Sequence, residues 1–553
     1  MTTEGPATVD ATAPAQADAR RRNVESIVPL LPLQKALLLH SDSGDDLGFL
    51  QVQCRLCGPL DVPRFGQAWR RVMGWHPALR MSTHAAKGRD PMAVVWREVE
   101  LPFSLDDRHE ERDEGARLKA FLERDRLEGL DLDAAPVMRV RVIRTEEQCY
   151  DLVWTCHHLF IDGWSAAIVL EDVMTAYRAL GEQSEILPPI SPGAFNDYLA
   201  WTAQSDEGKT ETYWRTRLAG FNGAPALRLG QPNGNDSGET SIVLDEQLTA
   251  AVQTAASERR LTVNALVQGS WALTLSRLFG TDDVVFGTTV AGRSTGVEGI
   301  ERLVGYFANV VPVRVRVEQE RRASEWLQQL RSDQFEMQPF EHASLADIHG
   351  WSHTPGHQPL FETFVVVENF PSRMGNRTDP NGISVTDFRS GLTTAYPLTI
   401  AVVLGDQWTI TCRYDATLCG RSAVQRLLAE MISILTSLVS KPNITVAAAL
   451  DESSSAEIRS LLTNQARTSN ESPTAYTHPR TNTERSIAEI WEDVLGIASI
   501  GVHDDYFELV GTSILAVRLF SRIETELGVA IPLNTLFSHP TIAGLAEVIG
   551  ETL

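Results

Sequence analysis

Basic residues are scarce in this chain. Its 553 residues include 49 Lys and Arg against 72 Asp and Glu, a formal net charge of −23. Nucleic-acid binding needs a basic stripe to neutralise phosphates, so the balance argues against it, and equally against an anionic membrane surface. An acidic surface suits solubility or docking to basic partners. Cysteine is scarce too. Six in this length do not make a disulfide framework. Cys54 and Cys57 form a lone C-x-x-C in "FLQVQCRLCG" with no second pair nearby, so plain strand cysteines are expected there rather than a zinc or redox site. Unbroken runs of 18 or more apolar residues are missing, which predicts no membrane-spanning helix. In "RRRNVESIVPLLPLQKALLL", Pro29, Pro32, Gln34 and Lys35 interrupt the apolar stretch and no small-residue cleavage site follows. That is not the pattern of a signal peptide, and the cytoplasm is the expected location.

What is present is length and periodicity. At roughly 100–200 residues per domain, three or four lobes are expected. Residues 1–24 are rich in Ala, Thr, Asp, Pro and Arg and read as a disordered tail. From 25 to 205, "FLQVQCRL" and "VMRVRVIR" alternate as half-buried strands do, while "FGQAWRRVMGW" and "AAIVLEDVMTAYRAL" carry helical spacing. A second α/β lobe is expected over 206–455, with a buried helix in "TVNALVQGSWALTLSRLFG" and strands in "DVVFGTTVAG", "VVPVRVRV" and "FETFVVVENF". Residues 456–482 turn polar, with Ser, Thr, Asn and Pro throughout, and read as a linker. Residues 483–551 form a separate small unit of four helices with eleven acids and three arginines. In its first helix, Ile487, Ile490, Trp491, Val494 and Leu495 share one face.

Two short stretches carry chemistry. In "DDYFELVGTSILA", Ser513 immediately precedes the second amphipathic helix of the terminal unit. A hydroxyl at a positive helix end suits an attached phosphate group, although a serine there also serves as a plain N-cap. In "YDLVWTCHHLFIDGWS" a strand ends at His157 and His158. Adjacent strand residues point to opposite faces, so only one histidine can face a given cleft. A metal site wants three or four ligands, and no further cluster at ligand spacing accompanies the pair, so no metal is expected. Cys156 diverges from its histidine neighbour for the same geometric reason.

The terminal stretch, following "IAEIWEDVLG", resembles the peptidyl carrier domain of nonribosomal peptide synthetases. That resemblance implies 4′-phosphopantetheine attached to Ser513, with Val510-Gly511-Thr512 replacing the usual Gly-Gly and His or Asp before the serine. The histidine stretch resembles the H-H-x-x-x-D-G signature of condensation domains. "VPLLPLQKALLLHS", "WHPALRMS", "VVFGTTVAGRS", "VGYFANVVPVRV" and "TTAYPLTIAV" resemble further motifs of that family, in order, across 24–455. The implied fold is α/β (α+β): a two-lobed, chloramphenicol acetyltransferase-like condensation fold, followed by a four-helix, acyl-carrier-like bundle.

The resemblance also implies roles. His158 would face a tunnel between the lobes and position the acceptor amine or take its proton. His157 would pack behind it. Asp162 would pair with Arg80 and hold the loop, Gly163 would permit a tight turn, and Asn309 would lie near the cleft. Tyr306 and Val310 depart from the common family form and bear on tunnel shape.

No adenylation domain fits between the two units, so loading by a trans-acting adenylation enzyme is expected. Other implied partners are an upstream donor carrier protein, a phosphopantetheinyl transferase, and a downstream synthetase module or release enzyme, with no nucleic acid or membrane. The expected activity is that of an acyltransferase-type, peptide-bond-forming enzyme. "IVPLLPLQKALLLHS", "HHLFIDGWS" and "PLFETFVVVENFP" look most like condensation domains whose donor ends in a D-residue. The alternatives are a starter type taking a fatty or aryl acyl group, a soluble amine or alcohol acceptor, an epimerisation domain, and a non-catalytic recruitment platform. An epimerisation domain normally follows its carrier, and a silent platform normally lacks the histidine motif.

Overall fold

Alternating apolar residues make the strands Phe49–Cys57 and Cys149–His157, which pair antiparallel from Phe49 opposite His157 to Cys57 opposite Cys149. In the computed structural model, residues 21–552 are described apart from short segments, the longest at 39–47 and 463–476, with 507–512 among them. Most of the expected N-terminal tail, residues 1–20, lies outside the described residues. The two strands centre a six-stranded sheet that continues through Met138–Glu146 to Phe103–Asp107. Two helices cover it. Val62–Trp75 starts at Asp61, whose side chain accepts from the Arg64 amide, and packs against Gly163–Glu182. Trp69 and Trp154 meet edge to face at 5.2 Å and are fully buried in this core.

The second lobe holds another six-stranded sheet, ordered Asn309–Arg316, Asp283–Val290, Thr363–Glu368, Leu398–Val403, Thr409–Asp415 and Ser237–Val243. The helix Val263–Phe279 is almost wholly buried beneath it. Thr262 caps its start, and Gly280 ends it with φ +67°, a conformation glycine adopts without steric cost. One segment crosses over: Ser384–Ser390, from the second half of the chain, pairs antiparallel with Phe49–Cys57 and joins the first lobe's sheet. The lobes therefore share backbone hydrogen bonds as well as side-chain contacts.

Two expectations need correction. Cys57 is not a plain strand cysteine: it stands opposite Cys149 and the two form a disulfide, while Cys54, Cys156, Cys412 and Cys419 are free and buried. The linker does not begin at 456, because Ile458 and Leu461 lie inside the second lobe's core. Among the described residues, one helix, Arg421–Ser440, is long and apolar enough to cross a membrane by length and composition. A search for unbroken apolar runs does not find it, because polar residues interrupt its sequence. Here it is a core helix packed against Val263–Phe279, with Leu427, Leu428, Met431, Ile434 and Leu435 buried.

The terminal unit has its own core. Ile487, Ile490, Trp491, Val494 and Leu495 are all buried on one face of the helix Asn482–Leu495. They pack with Tyr506, Leu519, Ile523, Ile542 and Leu545. Helices Ser513–Leu527, Thr535–Ser538 and Ile542–Thr552 complete it among the described residues. The helix Ser513–Leu527 lies against Leu345–Trp351 of the second lobe.

Candidate active site

The strand Cys149–His157 ends where the chain must turn into the helix Gly163–Glu182, and this turn carries the histidines. His157 is the last strand residue and is buried. Its Nδ1 accepts from the Leu159 amide at 3.0 Å, and its ring lies directly on Gly48. The Gly48 carbonyl in turn accepts from the His158 amide at 2.6 Å. His157 thus packs behind the neighbouring residue and shapes the backbone that holds it.

His158 sits half-buried past the strand end. Its Nδ1 lies 2.9 Å from the Ile161 carbonyl oxygen. A carbonyl can only accept, so Nδ1 carries the hydrogen and Nε2 carries the lone pair. Nε2 is shielded from water and has no hydrogen-bond partner among the described residues. Burial holds this imidazole below the ordinary histidine value, partly offset by the Ile161 bond. The Tyr306 ring, from the second lobe, meets it edge-on at 6.3 Å. Burial also pushes the Tyr306 hydroxyl well above the usual tyrosine value, so it stays protonated. A neutral imidazole with a free Nε2 at a lobe junction is suited to accepting a proton.

Asp162 does not pair with Arg80. It caps the helix Gly163–Glu182 by accepting from the Ser165 amide at 2.7 Å. It also accepts from Arg293 at 2.9 Å and from the Phe307 and Ala308 amides at 3.0 and 3.2 Å. Arg293 further donates to Ser165 Oγ and the Leu303 carbonyl. With every lone-pair direction committed, Asp162 is a clasp between the lobes and not a reacting acid. Arg80 lies in the first lobe, where it pairs with Glu25 at 2.7 Å and donates to the carbonyls of Met73, Trp96 and Arg97. Gly163 is not a tight-turn residue: it is simply the first residue of the capped helix, without a positive φ. Asn309 donates to the carbonyls of Glu341 and Ala343 at 2.6 and 2.7 Å, so its amide is spent on fixing that loop.

Sequence reasoning missed three residues that hold the turn. Arg293 lay unremarked in "VAGRS", because only folding brings it within reach of Asp162. Gln34 donates to the Leu159 carbonyl at 2.6 Å and accepts from the Leu31 amide. Gly48 was invisible because its neighbour His157 is 109 positions away and no spacing rule links them.

Ser513 is the first residue of the helix Ser513–Leu527. The first amides of a helix have no intrahelical partner and favour an anion, which suits a phosphate carried on this residue. Val510, Gly511 and Thr512 lie outside the described residues.

Comparison with known proteins agrees with this geometry. Residues 24–461 match the condensation domain family, and residues 485–549 match the phosphopantetheine attachment site family. The second match carries the covalent 4′-phosphopantetheine. A linear gramicidin synthase from Brevibacillus parabrevis is 34% identical over 427 residues, covering 75% of this chain and 8% of that protein. Chondramide synthase of Chondromyces crocatus is 30% identical over 472 residues, covering 77% of this chain and 12% of that protein. The chain thus spans only a small part of the curated relatives it matches. Among solved structures, the first condensation domain of the calcium-dependent antibiotic synthetase shares the fold with a TM-score of 0.65 at 17% identity, covering 76% of this chain and 98% of that one. A four-domain nonribosomal peptide synthetase shares it with a TM-score of 0.64 at 15% identity, covering 85% of this chain and 37% of that one.

Proposed function

Because the chain belongs to the condensation-domain family, with a phosphopantetheine attachment unit behind it, we propose that it joins an acyl or peptidyl thioester to an aminoacyl group held on its own Ser513. The product is an amide, and the grown chain ends on Ser513. The observation that carries this reading is the uncommitted Nε2 of His158 at the lobe junction. When bound, 4′-phosphopantetheine supplies the thiol on which acyl groups travel. The chain's own residues do the rest. Ile161 holds the Nδ1 proton so that Nε2 can take a proton from the attacking amine. Asp162 and Arg293 keep the two lobes in register around it. Burial keeps the imidazole neutral and ready. Most of the rate gain comes from holding two tethered reactants in line.

The matched segments end at 461 and resume at 485, too close for an adenylation domain between them. We infer that loading falls to an adenylation enzyme acting in trans, after a phosphopantetheinyl transferase has modified Ser513. An upstream carrier protein delivers the donor, whose last residue is of D configuration, and a downstream module or release enzyme takes the product. The cytoplasm, where coenzyme A is abundant, is the compartment for this work.

Intact mass after incubation with coenzyme A and a permissive phosphopantetheinyl transferase tests the carrier half. A gain of one pantetheine arm, absent in Ser513→Ala, is expected. The loaded protein is then given a donor thioester on a carrier. General acid–base assistance contributes about 10²–10⁴-fold, so His158→Ala should lose that much product rate. An unchanged rate in His158→Ala would sink the mechanism.

A further inference from the structure

A narrow, partly open pocket lies beside Tyr306 and reaches from Leu31 of the first lobe to Glu341, His342 and Ser344 of the second. Part of its wall is aromatic. Tyr198 stacks on Trp201 at 6.1 Å, and Phe307 meets Tyr198 edge-on at 4.6 Å. Such walls suit an aliphatic stem. Thr202, Ser294, Asn309 and Gln338 add neutral polar groups, and the one carboxyl in the lining is Glu341, which is only 8% exposed.

A buried carboxyl is ordinarily neutralised by a cation within a few ångströms. Glu341 has none among the described residues. Its carboxyl hydrogen-bonds the Ser294 side chain alone, and burial pushes it up to about 7. Arg293, next to Ser294 in sequence, is committed to Asp162, Ser165 and Leu303. His342 is held neutral by burial, with its ring nitrogens toward the Pro339 carbonyl and the Thr210 hydroxyl. The backbone around Glu341 is nevertheless fixed, because Asn309 grips the carbonyls on both sides of His342. The side chain is held in place and lacks a counter-charge.

The pocket's position indicates which substrate reaches it. Ser344, in the pocket wall, caps the helix Leu345–Trp351, and that helix lies against the one beginning at Ser513. One wall of the pocket is therefore continuous, through Ser344, with the helix on which the chain's own carrier unit rests, and that unit presents the acceptor. We propose that Glu341 is a specificity-determining residue that selects an acceptor aminoacyl group with a cationic side chain. The aliphatic stem lies along Trp201, Tyr198 and Leu31, and the terminal ammonium or guanidinium meets the Glu341 carboxylate. A neutral donor would leave the carboxylate uncompensated, whereas a cation supplies both charge and hydrogen bonds. This inference rests on the acceptor assignment made above.

The test uses the full chain and three stable pantetheine amides carrying lysine, norleucine or 6-hydroxynorleucine, titrated calorimetrically. The three share one carbon skeleton and differ only in an ammonium, a hydrogen or a hydroxyl on its sixth carbon. The wild type is expected to bind the lysyl probe at least tenfold more tightly than either neutral probe. Glu341→Gln should bring all three within about twofold, and Glu341→Asp should restore part of the preference. Equal wild-type affinities overturn the proposal without reference to any variant, so a misfolded variant cannot protect it. A preference that survives Glu341→Gln also overturns it. If the lysyl preference depends on Glu341 but no amide forms on Ser513, the cation-selecting role of Glu341 stands, while the condensation reading and the acceptor assignment fall together.

Discussion

His158 is defined by two neighbours that leave its lone pair on Nε2, the Ile161 carbonyl and the hydrophobic surroundings of the turn. A rate that depends on the neutral imidazole falls as pH drops through the folded-state value. Burial places that value below the ordinary 6.5. The acid limb of single-turnover condensation should therefore lie below pH 6.5, and a limb at or above it would contradict a buried neutral base. Arg293 acts at the same scale. Removing it in Arg293→Ala leaves the Asp162 carboxylate buried beside three amides without its cation, at a cost of about 3–5 kcal/mol. Urea unfolding of wild type and variant measures this. Arg80→Ala, which removes the ion pair with Glu25 and the bonds to the Met73, Trp96 and Arg97 carbonyls, should loosen that part of the first lobe while leaving the His158 turn in place.

Elements are joined by contacts that tolerate little change. The turn after Cys149–His157 is held to Gly48 by one backbone bond and by the His157 ring on the glycine face. A methyl group there would overlap the imidazole. Gly48→Ala should cost about 1–3 kcal/mol as an overpacked site and lower kcat, because the displaced ring carries the His158 backbone with it. Thermal unfolding and turnover on the same sample separate the two effects. In the terminal unit, hydrogen bonds from Arg480, together with the Arg480 and Thr481 amides, hold the Glu484 carboxyl down to about 2 at the start of the first helix. A depressed carboxyl contributes stability above its unfolded value of 4.5, and that contribution is lost as pH falls toward 2. Glu484→Gln should flatten the acid dependence of the terminal unit's unfolding across this window. An unchanged dependence would assign the acid sensitivity elsewhere.

The whole molecule is held by one long-range covalent link and three main cores. The disulfide joins residues 92 positions apart and ties the far ends of the two central strands. Thiol titration of the unfolded, unreduced protein should find four free cysteines. The double variant Cys57→Ser/Cys149→Ser should lose about 2–4 kcal/mol and keep its turnover, since the bridge lies at the strand ends opposite the histidines. The terminal unit has a hydrophobic cluster drawn wholly from its own residues. A piece comprising residues 477–553 should unfold cooperatively by itself and still accept a pantetheine arm on Ser513.

The sequence alone determined the elements and most of the candidate chemistry. Local periodicity is enough to mark the strand that ends at His157 and the apolar face from Ile487 to Leu495, because each depends on neighbours within a few positions. Motif order placed Ser513 and His158. Tertiary structure decided the pairings. Arg293, not Arg80, closes on Asp162, and Cys57 meets Cys149, because strand register and lobe docking choose partners by position in space. Gly48 owes its identity to a histidine brought against it by the same pairing. Glu341 reads in sequence as one more surface acid. Only folding removes its water while bringing no cation in exchange, and that combination makes it a specificity candidate.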